Sequence, residues 1–296
     1  LWIPVSEAIS NPAPGRLAEL WRPIRKILRE PLGALGLFLV LLVIFGALFA
    51  DLLTGWDPTK INPRDRFQGP NPTHLMGTDQ LGRDLFARVL YGGRIALFVA
   101  LVSTGVSLVI GIILGLIAGY GPRWLDNLLI LLFDAMKSFP TVMLALALVT
   151  LMGPSLTAVM VVIVLVTVPG YARIIRTQTI ALKTSEYVTA AQSMGASSAR
   201  ILRLHILPNV IGPLVILASM DIPVVIGIEA GMSFLGLGVR PPTPSWGSIL
   251  NDGFTNIRDT AWIAIAGGVP IIITTLGFTF LGETLRDVFD PRLKGR

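Results

Sequence analysis

The sequence contains no cysteine, which excludes disulfides, thiolate metal sites and cysteine nucleophiles. Charge is also scarce. Lysine, arginine, aspartate and glutamate make up 14% of the chain, against roughly 25% in ordinary soluble domains. That deficit is too large for a surface facing water on all sides. The two histidines, His74 and His205, lie far apart in sequence, and neither has a partner at ligand spacing, so no metal centre is expected. There is no G-x-x-x-x-G-K-[ST] segment, so the chain has no P-loop to cradle ATP phosphates. Neither a Ser-His-Asp set, an H-E-x-x-H helix nor a paired-carboxylate signature supports an enzymatic reading. The N-terminal stretch does not read as a secretory signal, because its first apolar run begins only after Pro31 and is too long for a signal core.

What the chain has instead is apolar length. Of its 296 residues, 53% are hydrophobic, and they gather into runs long enough to cross a bilayer at roughly 20 residues each. Six runs stand out, at about 32–53, 95–120, 128–152, 156–171, 210–235 and 261–281. The fold class expected is therefore all-α, a polytopic membrane protein with six transmembrane helices. The net charge of +6 is scattered between these runs rather than gathered into a stripe. Lipid head groups are its expected counter-charge, and nucleic acid is not an expected partner. Basic residues also orient the chain. With a cytoplasmic N-terminus, the inside segments carry Arg16 to Arg29, Arg123, Arg173, Arg176, Lys183, Arg200, Arg203 and the basic C-terminal residues Arg286, Arg292, Lys294 and Arg296. Both termini are thus expected to be cytoplasmic. One loop runs against the rule: residues 55–94 are placed outside although they hold six basic residues, offset by Asp57, Asp65, Asp79 and Asp84.

The expected organisation is a cytoplasmic tail at 1–31, a first transmembrane helix at 32–54, an external loop with an amphipathic helix at 55–94, a membrane core at 95–285 and a cytoplasmic tail at 286–296. Two long loops break the short connections, and long ordered loops tend to carry function. The inner one reads Glu186-Tyr-Val-Thr-Ala-Ala-Gln-Ser-Met-Gly195, then Ala-Ser-Ser-Ala-Arg-Ile-Leu-Arg-Leu-His205-Ile-Leu-Pro208. Ser185 is placed to cap a helix with Glu186 in its first turn. Tyr187, Ala190, Ala191 and Met194 share one face at helical spacing, and Gly195 suits the left-handed position that ends a helix. A second helix is expected from about Ser197, with Ile201, Leu204 and His205 on one face, and Pro208 opens the next span. This gives a short helix–turn–helix whose small residues admit another backbone at close range. The plainer reading is an interfacial amphipathic helix.

The segment resembles the EAA loop of permease subunits in ATP-binding-cassette (ABC) importers, whose pattern is Glu-Ala-Ala, three residues, Gly, nine residues, Ile, one residue, Leu-Pro. Ala190, Ala191, Gly195, Leu207 and Pro208 match at that spacing, while Thr189 replaces the usual Glu and His205 the usual Ile. The His-Ile-Leu-Pro-Asn ending is similar to the peptide-importer branch. So are Gly77-Thr-Asp79-Gln-Leu-Gly82-Arg83-Asp84, Ser233-Phe-Leu-Gly-Leu-Gly238 through Trp246-Gly247, and Leu285-Arg286-Asp287 followed by Asp290-Pro291-Arg292-Leu293. Together they resemble the C-type permease of dipeptide and oligopeptide importers over most of the chain.

That resemblance implies a type I ABC importer permease fold with a cytoplasmic coupling helix within 185–209. It implies ATPase contacts at Glu186, Tyr187, Ala190, Ala191, Met194, Gly195, Ala196, Arg200, Leu207 and Pro208. The implied partners are a second homologous permease, two ATPase subunits, an extracytoplasmic substrate-binding protein and membrane lipid, in a prokaryotic inner (plasma) membrane. No cofactor would bind this chain, and ATP and magnesium would sit in the partner ATPases. Nickel and glutathione importers share these motifs, so the substrate stays open among them.

Several charges are read from spacing alone. Asp79–Arg83 and Asp84–Arg88 are i,i+4 pairs expected on an outer surface helix, with direct substrate contact as the other reading. Asp134 and Lys137 are expected to pair at i,i+3. Asp221 and Glu229 lie within the fifth run, and intramembrane acids either line a pathway or bond to a neighbouring helix. Trp246 is expected as an interfacial anchor. A self-sufficient secondary transporter coupled through Asp221 or Glu229 would leave the EAA-like loop unexplained and would usually show internal repeats, of which none is visible.

Overall fold

The computed structural model describes residues 25–289. The tail 1–24 and the Asp290-Pro291-Arg292-Leu293 motif with Lys294 and Arg296 lie outside the described residues. Every regular element among those described is helical, and five helices are long and apolar enough to cross a membrane, or six if one bent pair counts as a single span.

Helix α1 (Pro31–Leu48) opens with proline at its first turn, where the missing N–H costs nothing. Its apolar residues Leu35, Phe38, Leu42 and Phe45 stay exposed, as lipid-facing side chains do, while Gly33 and Gly36 are buried. A Cβ on Gly36 would stand 2.6 Å from the Leu281 backbone nitrogen, so only hydrogen allows this approach. Helix α2 (Leu85–Tyr120) is a single 36-residue element, capped by Asp84, whose carboxylate accepts the Ala87 N–H at 2.7 Å. At 1.5 Å per residue it is about 54 Å long, well beyond a hydrocarbon core of about 30 Å. The helix expected at the end of the outer loop is thus the start of the second span.

The third run does not form one crossing helix. It divides into α3 (Arg123–Ser138) and α4 (Thr141–Met152), bent by 92°. Pro140 is the cause: proline lacks the N–H that would continue the ladder and pushes its predecessor out of the helical region, and Phe139 sits at φ −85°, ψ 130°. Helix α5 (Leu156–Lys183) starts at Ser155, whose hydroxyl accepts the Ala158 N–H, and runs on well past the expected end near 171. It packs closely on α2. Gly111, Gly115 and Gly119 line the contact, and a Cβ at Gly115 would come within 2.6 Å of the Ala172 carbonyl. Small residues at i,i+4,i+8 let two backbones meet where lipid offers no hydrophobic drive for association.

The segment 184–206 then lies at the Tyr120 end of α2 and the Lys183 end of α5. It leads into α7 (Leu207–Phe234) after α6 (Glu186–Ser193), a short helix Ser198–Ile201 and a π-turn Leu202–Ile206. Helix α8 (Trp246–Thr255) begins with a reciprocal capping box between Ser245 and Ser248. Helix α9 (Trp262–Phe289) closes against α1, α7 and α8. The main core gathers Val99, Val162, Ile163, Val225, Ile226, Trp246 and Ile249 from α2, α5, α7 and α8.

Candidate functional site

Helix α6 is mounted by one side and bare on the other. Val188 and Ala191 are buried together with Ile201 and Ile206, against Leu116, Tyr120 and Leu182 at the ends of α2 and α5. Tyr187, Met194, Glu186, Thr189 and Ala190 are exposed, Met194 at 82%. The face expected from spacing is therefore divided: Ala191 turns inward and Tyr187, Ala190 and Met194 remain free. Ser185 holds the N-cap position, but its hydroxyl donates to the Leu182 carbonyl instead of capping.

Gly195 has φ +79°, the left-handed region. Its N–H donates to the Gln192 carbonyl at 2.9 Å and the next N–H, of Ala196, donates to Ala191 at 3.0 Å. These are the two bonds of a Schellman stop. Among the described residues, nothing beyond its chain neighbours lies within 4 Å of a Cβ built on Gly195, so the surface there is open. The chain then restarts with Ser197, which accepts the Arg200 N–H. Arg200 is exposed, as is Leu204 at 55%, so Leu204 does not share the buried face of Ile201. Pro208 stands in the first turn of α7, as expected, but no break separates that helix from what precedes it. Helix continues from Ser198 to Phe234 through the π-turn, in which the Leu207 N–H reaches back to Leu202. A wider turn accommodates a residue without an N–H, and the Asn209 side chain satisfies the His205 carbonyl at 2.6 Å. Tyr187 and His205 face each other with ring centroids 6.2 Å apart.

The loop before α2 holds the second constellation, which local spacing does not reveal. Asp79, Arg83, Asp84 and Arg88 are buried, not spread along a surface helix. Asp79 sits in a turn closed by Gly82, at φ +71°. Its carboxylate accepts the N–H groups of Leu81 and Arg83 and the Arg83 Nε at 2.6 Å, with the Arg88 Nε at 3.5 Å. Both arginines also reach Asp252 on α8, at 3.3 and 3.7 Å. Burial raises the Asp252 carboxyl above its usual range, against the opposing pull of Arg88 and Arg83. Asp84 does not pair with Arg88. Besides capping α2 it bonds His74 Nδ1 at 2.8 Å, and the His74 ring rests against Trp56. Arg94 donates to the Ala47 and Leu48 carbonyls and to Asp51, which it holds below the ordinary carboxylate range, with a further bond from Tyr91. Three of the basic residues that ran against the orientation rule are thus tied to acids or carbonyls.

Trp246 is no interfacial anchor: it is 2% exposed and its indole N–H donates to the Val89 carbonyl at 2.8 Å. Asp134 pairs with Arg173 of α5 rather than with Lys137, and Asp126 pairs with Arg176. Glu229 is fully buried, accepting the Ser233 hydroxyl at 2.8 Å, and its other oxygen has no partner among the described residues. Asp221 is half-buried on α7, close to the Tyr171 hydroxyl. A groove of about 320 Å³ separates α4 from the C-terminal half of α7, lined by Thr141, Ala145, Val224, Gly227, Gly231 and Leu235 among others. No cluster of three potential metal ligands occurs among the described residues.

Long lipid-exposed helices joined by a rigid polar segment define a multi-pass integral membrane protein without its own nucleotide-binding motif. Residues 111–295 match the binding-protein-dependent transport system inner membrane components, and residues 19–70 match the N-terminal TM domain of oligopeptide transport permease C. The chain belongs to the family of binding-protein-dependent transport system inner membrane components. The dipeptide transport system permease protein DppC of Alkalihalophilus pseudofirmus is 39% identical over 275 residues, 93% of this chain and 90% of that one. The glutathione transport system permease protein GsiD of Pectobacterium atrosepticum is 39% identical over 277 residues, covering 93% and 92%. The di/tripeptide transport system permease protein DppC of Pseudomonas aeruginosa is 36% identical over 288 residues, covering 95% and 94%. Among solved structures, the inward-facing MetNI methionine ABC transporter overlays at TM-score 0.49 and 20% identity, over 66% of this chain and 94% of that one.

Proposed function

We propose that this chain is a membrane-spanning permease subunit of an ATP-driven importer for di- or oligopeptides. It forms the translocation pathway with a second, homologous permease, and two ATPase subunits drive it. An extracytoplasmic binding protein delivers the substrate to the side of residues 54–84. Both termini and residues 172–209 are cytoplasmic in this reading, and residues 55–94 are external.

The observation that carries it is the mounting of α6. A docking element must be fixed to the spans that it moves and bare toward its partner. Val188, Ala191, Ile201 and Ile206 fix it, while Tyr187, Ala190, Met194 and the open Gly195 surface stay uncovered. Glu186, Ala196 and Arg200 border that surface, and Leu207 and Pro208 carry its motion into α7. ATP-driven closure of the ATPases would swing this segment and alternate access. Asp221 is the proposed pathway acid on the same helix. The matches to peptide permeases support the substrate class.

The glutathione permeases among the relatives favour a second reading, with glutathione as cargo. Reconstitution of the chain with its partner permease, the ATPases and candidate binding proteins separates the two. Stimulation of ATP hydrolysis and uptake by di- or oligopeptides is expected. Stimulation by glutathione with none by peptides would replace the first reading with the second.

A further inference from the structure

Helix α3 carries features that the transport reading does not use. Its sequence divides into three arcs. One arc, Leu129 and Phe133 with Leu125, packs on Ala118 and Ala172 of α2 and α5. A second arc, Trp124, Leu128, Leu131 and Leu132, is apolar and open, with Trp124 and Leu131 each 66% exposed. The third is mostly polar and open, with Arg123, Asn127, Lys137 and Ser138 exposed and the half-buried Ile130 among them. A helix that crosses a bilayer against lipid has little use for such a polar arc, and one in water has none for the apolar arc.

The ion pairs fix its inclination. Asp126 bonds Arg176 and Asp134 bonds Arg173. Between the two acids α3 advances by about 12 Å, while between the two arginines α5 advances by only about 4.5 Å. The unequal advances incline α3 to α5, and the 92° break after Ser138 turns the chain into α4, which a three-residue turn joins to α5. The depth is set as well. Arg173 and Arg176 lie toward the end of α5 that leads into 184–206, and Lys183 of the same end donates to the Tyr120 carbonyl just before α3.

We propose that α3 lies in the plane of the leaflet on the α6 side, as a built-in lipid-contact surface. Trp124, Leu128, Leu131 and Leu132 enter the upper acyl region, and the polar arc faces the head groups. The occupant is the phospholipid bilayer itself, preferentially anionic. Arg123 and Lys137 stand at the two ends of the helix and form no ion pair among the described residues, so their charges are available to phosphate. A basic amphipathic helix with tryptophan at its edge has the chemistry of an interfacial helix, whose apolar face sinks about 5–10 Å below the head groups.

The absence of native cysteine makes the test direct. Nitroxide labels are placed singly at Leu131 and Asn127 in the full chain, assembled with its partner subunits in nanodiscs of phosphatidylcholine and phosphatidylglycerol. Power saturation with oxygen and with a water-soluble nickel chelate reads the environment. The Leu131 label is expected to favour oxygen and the Asn127 label the nickel chelate, and Leu128 replaces Leu131 if that variant does not assemble. Shielding of Leu131 from both reagents would mean that a protein subunit covers the arc, and oxygen preference at both sites would mean a crossing helix; either overturns the proposal. The double variant Arg123→Gln, Lys137→Gln should retain at least twofold less phosphatidylglycerol after detergent extraction, and unchanged retention removes the head-group contact.

Discussion

The indole of Trp246 closes on Gly92 so tightly that a Cβ at Gly92 would stand 2.9 Å from the indole Cδ1. The contact joins the N-terminal end of α2 to the start of α8, and the Trp246 N–H bond to Val89 fixes the ring in place. Gly92→Ala should cost about 1–3 kcal/mol through overpacking, and Trp246→Ala about 3–5 kcal/mol through the cavity left behind. Thermal unfolding of the purified complex, followed by fluorescence-detected size exclusion, reads both. A Gly92→Ala protein with an unchanged midpoint would show that the helices separate freely here.

Asp79 serves Arg83 and Arg88 at once, and all three are buried. Removing one member of such a group strands the others. Asp79→Asn should therefore destabilise by about 3–5 kcal/mol. Asp252→Asn should do less, since the Asp252 side chain is 25% exposed and burial already disfavours its charge. Equal losses of folded protein for both would contradict this ranking.

Gly195 should be the least replaceable residue of its segment. Its positive φ strains any side chain by roughly 1–3 kcal/mol, yet none of the described residues blocks the space above it. Any further loss must come from a partner. Gly195→Asp is expected to uncouple ATP hydrolysis from uptake, or to prevent the ATPases from co-purifying, with membrane insertion unaffected. Thr189→Ala, which removes only an exposed bond to the Ser185 carbonyl, should leave uptake near normal. Normal uptake and ATPase recovery in Gly195→Asp would show that the segment is not the docking element.

Single cysteines test orientation. A cysteine at the exposed Ser197 should resist an impermeant reagent in intact cells and react in inverted vesicles. Labelling from outside would reverse the proposed topology.

Asp221→Asn separates a pathway acid from a structural one. Altered uptake kinetics with normal assembly are expected. A purely helix-bridging bond averages only about 0.6 kcal/mol, so unchanged kinetics would take Asp221 out of the pathway.

The apolar runs at 32–53, 210–235 and 261–281 were legible because a bilayer imposes length and composition on each span locally. Gly195 was legible for the same kind of reason, since a helix stop is written within a few residues. The break in the third run was not read, although Phe139-Pro140 and the charges of α3 signal it. Averaged over a long window, hydropathy hides an amphipathic half behind an apolar one. The outer cluster was misread from a sound local rule. Spacing of i,i+4 does bring Asp79 to Arg83, but Asp252 and His74 reach the same charges through the fold, across 169 and 10 residues. Pairing over such separations leaves no periodic trace. The glycine ladder at 111, 115 and 119 left one, and the pattern small-x-x-x-small would have found the α2–α5 contact.

Helix α2 touches both faces of the molecule without interruption. At its start Asp84 and Arg88 hold the preceding loop and Arg94 holds the end of α1, and at its end Leu116 and Tyr120 form part of the seat beneath α6. A rod about 54 Å long that tilts by about 5° carries its far end through about 5 Å. The segment 54–84 and the seat of α6 therefore share one uninterrupted helix, so in the proposed transport cycle a tilt of α2 at one of them is expected to displace the other.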